Sequence, residues 1–366
     1  MNYFHKKMGI ENLRVENVQQ VEVSRQEFNV AERAQRYMQR GFKIMRSMYK
    51  FVHRATLRAI ARTLEMVTII WLTCYYVAEA AVLNLTPQSL RTLKSLRGRM
   101  ILVTGGAGGV GQELVLRLAR YKAKVIVWDI NEKAMAKLKD KCATEGYRIY
   151  TYTVDLSDRQ SIYKTAEAVK DDLGTIDILI NNAGIVCGQT FMELPDYMIE
   201  KTYKVNTLSC YWTAKAFLPD MVKQGRGHIA TVSSLTGLLG TYNCTDYSGS
   251  KYATIGFHES LMAELKTMGF HKIHLTMVSP YFINTGMFEG CKPAYAPMLE
   301  PKEVAKRIIL AIRRDEVFCT VPASSNYILA LKHYLPSKLS WLYQTRVIGL
   351  PQAMKTMRKF NEVVAA

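Results

Sequence analysis

Tyr247 and Lys251 stand four residues apart in the run Tyr-Ser-Gly-Ser-Lys, with Ser234 thirteen residues upstream and Asn181-Asn182-Ala183-Gly184 before both. One helical turn separates the tyrosine from the lysine, so both side chains project from one face. A phenol with an ordinary pKa of about 10 is a poor base at neutral pH. An ammonium beside it favours the phenolate, and each unit of lowering needs about 1.4 kcal/mol of preference for the charged form. The pair is therefore a candidate general acid/base, of the kind that takes the proton of an alcohol as its hydride departs. A Tyr-x-x-x-Lys spacing alone is common and reads as a surface pair. Ser234, which can hold the reacting oxygen, and a glycine-rich loop far upstream give it chemical meaning.

That loop runs Thr104-Gly-Gly-Ala-Gly-Gly-Val-Gly111. Gly105, Gly109 and Gly111, with Val110 between the last two, follow an apolar strand-like run and open a helical one. Glycine permits the tight turn and lets the backbone approach a pyrophosphate, while the helix N-terminus offers N–H groups and a positive dipole end. Asp129 closes the second strand-like run, 24 residues beyond Gly105, where a dinucleotide fold reads the adenosine ribose. A carboxylate there accepts ribose hydroxyls and repels a 2′-phosphate, and no arginine follows it directly, so NAD is expected over NADP. The alternative is a surface aspartate capping the next helix. Asp155 and Leu156 follow the third strand and either contact the adenine or belong to a helix cap.

The elements that must position these groups alternate along the chain. Apolar strand-like runs lie at 100–103, 125–128, 149–154, 176–180, 228–232 and 273–278, with a short seventh at 317–321. Amphipathic segments of helical length lie near 110–121, 132–145, 158–173, 196–222, 246–268 and 301–313. This order predicts an α/β fold, a Rossmann-type doubly wound parallel sheet of about seven strands covered on both faces. The 366 residues suit one α/β domain of about 250–280 residues with extensions, and an apolar share of 49% excludes wholesale disorder. The divisions expected are a basic amphipathic extension (1–65), a hydrophobic membrane segment (66–86), the catalytic domain (87–325) and a helical tail (326–366), in which Pro336 and Pro351 break two helices. The tail either caps the domain or adds a second membrane contact. The seven cysteines form no Cys-x-x-Cys pair and no metal-ligand cluster, so no metal is expected and the thiols read as reduced, in a cytosol-facing protein. His228, His258, His271 and His274 read as structural.

Charge is unevenly spread. Residues 1–99 hold 17 Lys+Arg against 7 Glu, out of a net +18 for the chain. Arg33, Arg36, Arg40, Lys43, Arg46, Lys50, Arg54, Arg58 and Arg62 recur every three or four residues along one side of a helix, with Met38, Phe42, Met45, Tyr49, Val52 and Ile60 among the residues between. Such a helix suits an anionic membrane surface. A solvated basic helix is the bland reading, and nucleic acid is disfavoured because no binding motif accompanies the charge. The apolar run from Met66 to Leu85, interrupted only by Glu79, is about the length of a bilayer span. It reads as a span, as a helix lying in one leaflet, or as a core helix. Arg91, Lys94, Arg97 and Arg99 follow it, and basic residues on both sides are compatible with a hairpin whose two ends stay cytosolic.

From residue 99 to 321 the motifs together resemble the short-chain dehydrogenase/reductase family: glycine loop, Asp129, Asn181 to Gly184, Ser234 with Tyr247 and Lys251, and the segment from Ser279-Pro280 to Thr285. Residues 128–131, 212–219, 256–259 and 284–288 resemble its membrane-associated branch of retinol and 17-beta-hydroxysteroid dehydrogenases. The resemblance implies roles. Tyr247 exchanges the proton at the substrate oxygen, Ser234 hydrogen-bonds that oxygen, and Lys251 binds the nicotinamide ribose and lowers the Tyr247 pKa. Asn206 supports a water linking Lys251 to solvent. Asn182, Ala183 and Gly184 line the cofactor cleft, with Pro280 and Thr285 at the nicotinamide. It further implies a lipophilic alcohol as substrate, such as a retinol or a hydroxysteroid, a location at the endoplasmic reticulum membrane or lipid droplets, and a homodimer through the helices of Asn206 and Tyr247. The rival expectation is a membrane or lipid-droplet scaffold that keeps the fold with little turnover. One departure stands out: the family usually has Pro-Gly where this chain has Pro280-Tyr281, and tyrosine cannot adopt glycine's torsions cheaply. Leu235, Leu238, Leu239, Tyr242, Met287, Phe288, Tyr295 and Met298 flank the motifs and are candidates for an apolar substrate pocket or for core.

Overall fold

The computed structural model describes residues 2–85, 93–326, 332, 334–349 and 353–357. Arg91 and the segment around Pro351 lie outside the described residues. The chain divides into two compact units, Met1–Arg91 and Thr92–Ala366. Residues 326–366, expected as a separate tail, fall within the second unit, and Ala353, Met354 and Met357 join a buried cluster with Tyr247 and Phe288.

The first unit contains α1 (Asn2–Leu85), a single helix of 84 residues. Its part Glu32–Glu79 is long enough and apolar enough to cross a bilayer, with a window of mean hydropathy 1.2, and none of that window is buried.

The second unit is built on a seven-stranded, all-parallel sheet in the order β3-β2-β1-β4-β5-β6-β7. The strands are β1 (Met100–Thr104), β2 (Lys124–Asp129), β3 (Ile149–Thr153), β4 (Ile178–Asn181), β5 (Gly227–Val232), β6 (Ile273–Pro280) and β7 (Phe318–Val321). Between them run α2 (Gly109–Arg120), α3 (Glu132–Thr144), α4 (Arg159–Leu173), α5 (Asp196–Tyr203), α6 (Ser209–Gln224), α7 (Thr245–Thr267) and α8 (Pro301–Arg313). Alternation along each strand sends side chains to opposite faces. In β1, Ile101 and Val103 join α2 and α8 in one core, while Met100 and Leu102 join α4, α6 and α7 in the other. Both faces are thus covered, which is why the strands read as continuous apolar runs. Strand order reverses between β1 and β4, and the crevice at their carboxyl ends is where such sheets bind ligands.

The expected helix 196–222 is interrupted. Lys204–Leu208 form a π-helical turn between α5 and α6, and Asn206 sits within it. At the opposite, amino-terminal edge of the strands, Lys94 Nζ lies 2.8 Å from His228 Nδ1 and 2.5 Å from Asp315 Oδ1. His228 Nε2 is 2.9 Å from Thr276 Oγ1, and His274 stands 3.7 Å from the same aspartate. His228 is 1% exposed, and burial pushes its pKa down to about 4. These histidines brace strand starts, away from the crevice.

Candidate active site

The glycine loop leaves β1 and turns into α2 with Gly105 and Gly109 at φ of +59° and +50°. A Cβ on Gly105 would stand 2.8 Å from the Ala183 backbone, and one on Gly111 would overlap the Gly105 carbonyl. The turn can therefore be this tight only with glycine. Thr104 fastens the loop to the neighbouring strand end. Its Oγ1 accepts hydrogen bonds from the Asn182 and Ala183 backbone amides at 3.1 and 3.2 Å. Asn182 Nδ2 in turn donates to the Thr104 and Gly105 carbonyls, both at 3.1 Å. This hydroxyl is a positioning group that motif reading passed over; its only sequence signal is its place between β1 and the first glycine.

Asp129 lies at the tip of β2 and lines the cleft. Its Oδ2 accepts from Ala107 N of the glycine loop at 2.9 Å and its Oδ1 from Asn131 N at 3.0 Å. The cap of α3 is Asn131, whose side chain accepts from Ala134 N, so Asp129 is not the helix cap. Likewise Asp158 caps α4, while Asp155 holds Ser157 by its amide and hydroxyl at 2.8 and 2.7 Å. Asp155 and Leu156 both line the cleft.

The chemical groups come from β4, the π turn, β5 and α7. Asn206 clasps the chain just after Gly184: its Oδ1 accepts from Ile185 N at 2.8 Å and its Nδ2 donates to Ile185 O at 2.9 Å and Ser250 Oγ at 3.0 Å. Its carbonyl accepts from Thr254 Oγ1 at 3.1 Å. The wide π turn places both ends of one residue for bonding, a common use of such turns at functional sites. Tyr247 and Lys251 occupy consecutive turns of α7, with Lys251 Nζ 5.7 Å from the Tyr247 ring centroid. Lys251 Nζ donates to the Val232 carbonyl at 3.0 Å. Ser234 follows β5, its side chain accepts from Thr236 N at 3.2 Å, and it lines the cleft together with Tyr247.

The electrostatics differ from the sequence expectation. Tyr247 is 4% and Lys251 3% exposed. Burial raises the Tyr247 pKa above its ordinary value, the Cys244 thiol adds to the rise, and the Ser234 hydrogen bond opposes it. Burial also lowers the Lys251 pKa to about 8. In the protein alone, desolvation outweighs any lowering of the phenol by its ammonium neighbour.

Gly105, Gly109, Val110, Asp129, Asp155, Leu156, Asn182, Ala183, Gly184, Ser234, Tyr247, Lys251, Pro280 and Thr285 all line one cleft of about 730 Å³. Asn206 stands behind it, with its Oδ1 and Lys251 Nζ both 3.4 Å from the position a Gly184 Cβ would take. A second, apolar pocket shares Ser234, Pro280, Tyr281 and Phe288 with the cleft. Of the expected apolar flank, Leu235, Leu239, Phe288 and Tyr295 line this pocket, and Met287 lines the cleft. Leu238 and Tyr242 line neither, and Met298 packs in the cluster around Tyr247. Phe282, Ser325 and Ile348 line the pocket without having been expected, since two of them come from beyond β7. Tyr281 is not strained. Its φ lies outside the positive region, and it packs edge-on to Phe282 with centroids 4.9 Å apart.

Comparison with known proteins agrees with this geometry. Residues 99–296 match the short chain dehydrogenase family. The chain is 39% identical to short-chain dehydrogenase/reductase family 16C member 6 of Bos taurus over 269 residues, covering 72% of this chain and 84% of the relative. It is 37% identical to human epidermal retinol dehydrogenase 2 (75% and 89% covered) and 36% identical to human estradiol 17-beta-dehydrogenase 11 (67% and 82%). Among solved structures, a short chain dehydrogenase/reductase from Burkholderia phymatum in complex with NAD shares the fold, with TM-score 0.61 and 21% identity over 66% of this chain and 94% of that one. A metagenomic short-chain oxidoreductase in complex with NADP superposes with TM-score 0.53 at 25% identity, over 62% and 96%. With the sheet order, the glycine cradle and the Ser234, Tyr247 and Lys251 constellation in place, the chain belongs to the short-chain dehydrogenase/reductase family of oxidoreductases.

Proposed function

We propose that this chain oxidises a lipid-dissolved alcohol, of retinoid or hydroxysteroid type, to its aldehyde or ketone with NAD and with Tyr247 as acid/base. One observation carries the reading: Ser234, Tyr247 and the Lys251 ammonium line a dinucleotide-sized cleft, and Ser234 also lines the apolar pocket beside it. The cleft fits a nicotinamide dinucleotide, since Gly105 and Gly109 leave its wall open where side chains would intrude and Asp129 closes its β2 end. When bound, the oxidised nicotinamide supplies the hydride acceptor and a positively charged ring.

The chain's own residues supply the rest. Ser234 Oγ and Tyr247 Oη are placed to share one substrate oxygen, and the proton of that oxygen passes to Tyr247 as hydride leaves the adjoining carbon. An ammonium has three donors, and Lys251 spends one on Val232, leaving others for ribose hydroxyls. Asn206 fixes the strand-end loop at Ile185 beside that ribose site. Asp129 keeps lone pairs for the adenosine ribose and would repel a 2′-phosphate, which favours NAD. Relatives named as retinol and estradiol dehydrogenases support a lipophilic alcohol. The basic stripe and exposed apolar window of α1 support attachment to a membrane, at the endoplasmic reticulum or lipid droplets, with the catalytic unit cytosolic.

The test is NADH formation by the purified full chain with a panel of retinols and hydroxysteroids, run with NAD and NADP. Tyr247→Phe should lower turnover by roughly 10²–10⁴-fold while cofactor binding persists. If every lipid alcohol fails and Tyr247→Phe matches wild type in cells, the chain is instead a membrane or lipid-droplet scaffold.

A further inference from the structure

A short helical run beyond β7 is inverted for a protein in water. It comprises a helix, Ser337–Leu342, and a π-helical turn, Tyr343–Val347. A helix on a watered surface puts polar residues outward and apolar residues inward. Here Ser340 is 7% exposed, and Gln344 Nε2 donates back to its Oγ at 3.1 Å. Thr345 Oγ1 donates to the Trp341 carbonyl at 2.9 Å. These polar side chains are used within the run. Leu339, Trp341, Leu342 and Val347 face outward, 47% to 64% exposed. Fixed contacts hold the run in place. Ahead of it, Lys332 Nζ donates to the Leu238 carbonyl at 2.9 Å and to Tyr252 Oη at 2.7 Å. Behind it, the Ala353 carbonyl accepts from Lys292 N at 3.0 Å. On its inner side, Tyr343 packs against Leu239 and Ile348.

Charge selects what covers this face. From 317 to 361 the chain has six Lys or Arg and no Asp or Glu. Lys338 and Arg346 are exposed beside the outward apolar residues. A second copy seated on the face would bring these like charges into one interface. Another exposed apolar group of this unit, Phe191, Met192 and Tyr197, is interleaved with Glu193 and Asp196, which an anionic surface repels. Outward leucine and tryptophan with basic residues beside them suit the headgroup region of a bilayer. We infer that the catalytic unit has a membrane contact of its own, in which the face of Leu339, Trp341, Leu342 and Val347 lies on a bilayer bearing anionic phospholipid. This rests on the attachment through α1 in the proposed function and adds a second, weaker contact that sets which face of the catalytic unit meets lipid. A contact of this size does not hold the chain by itself. Attachment through α1 raises the effective concentration of the surface, so a weak contact suffices.

The experiment uses the full chain, reconstituted by detergent removal into phosphatidylcholine vesicles with and without phosphatidylserine. The vesicles carry a trace of phospholipid with a photoactivatable diazirine near the headgroup. Trypsin then releases Leu339–Arg346 as one peptide, since Lys338 precedes it and Arg346 ends it. With phosphatidylserine, this peptide should carry lipid adduct at several times the yield of the peptide holding Phe191 and Met192. Omitting phosphatidylserine should lower its yield about fivefold, the weight of one basic residue at an anionic surface. Trp341→Glu combined with Leu342→Glu, in a protein whose thermal melt matches wild type, should abolish the adduct while labelling within residues 66–85 persists. Equal yields from the two peptides, a yield indifferent to phosphatidylserine, or labelling that survives the double change overturns the inference. Loss of labelling as protein density in the vesicles rises would assign the face to a second copy and overturn it too. Labelling within residues 66–85 but not in Leu339–Arg346 overturns this contact alone. A chain that does not sediment with the vesicles overturns the attachment through α1 as well.

Discussion

Replacing Thr104 by valine isolates what its hydroxyl does. Valine keeps the volume and the β-branch, so the β1 packing and strand preference persist. Two backbone amides, of Asn182 and Ala183, lose their acceptor. A buried donor left unsatisfied costs roughly 1–3 kcal/mol. Both residues are half-buried, so water in the cleft recovers part of this, and the expected loss is about 2 kcal/mol. In a unit of this size that lowers the melting temperature by about 4–8 °C. The same change frees the wall formed by Asn182, Ala183 and Gly184, so the dissociation constant for NAD should rise several-fold alongside. Thr104→Ser keeps the acceptor and should recover most of both effects. The assay is a thermal melt paired with a cofactor titration on the three proteins. A valine variant that melts within 1 °C of wild type and binds NAD equally would refute the bridge, as would a serine variant as impaired as the valine one.

Three other outcomes are expected. Asp129→Ala should erode the ratio of kcat/KM for NAD over NADP, and an unchanged ratio would remove Asp129 from ribose reading. Deleting residues 2–86 should release the chain from membranes into the soluble fraction; persistent sedimentation with membranes would place the attachment elsewhere. The pKa of His228 is depressed from 6.5 to about 4, so the unfolded chain binds the extra proton first, and its stabilising effect is present above 6.5 and lost as pH falls toward 4. Between pH 7 and 5 this amounts to about 2 kcal/mol, read as a falling denaturation midpoint, and His228→Gln should flatten that fall, His258 supplying a remainder of the same sign.

The sheet was legible because its chemistry is repetitive. Strands buried on both faces must be apolar throughout, and turns between them need glycine or polar residues, so all seven runs emerged with boundaries within about two residues. The misread stretch was 196–222. Apolar periodicity continues through it, and nothing in that pattern marks the extra residue of the π turn at Lys204–Leu208. The signal is polar instead: a buried asparagine with both amide ends on Ile185 has to face one fixed strand end, and the helix widens to let it. Similarly, Pro280-Tyr281 stood out because the family's usual glycine there suggested torsions that tyrosine adopts only at a cost. Tyr281 instead keeps its backbone outside the positive-φ region and packs edge-on against Phe282.

At the site, sequence motifs identified groups whose covalent neighbours carry the signal, and missed those recruited across the fold. Ser325 and Ile348 reach the pocket from beyond β7, with no motif around them. The same limit governs the acid/base pair. Spacing put an ammonium beside a phenol, from which a lowered tyrosine pKa followed. Spacing carries no information on burial, and burial acts on both partners in opposite directions, raising Tyr247 and lowering Lys251 to about 8. Burial thus opposes the charged form of both partners, and proximity to an ammonium does not by itself lower a phenol that has been taken out of water. A positive charge in the cleft would favour a phenolate at Tyr247, and a neutral phenol is suited to give a proton to a carbonyl oxygen. The Tyr-x-x-x-Lys spacing places the two groups on one face of α7, and their surroundings set which charge state each prefers.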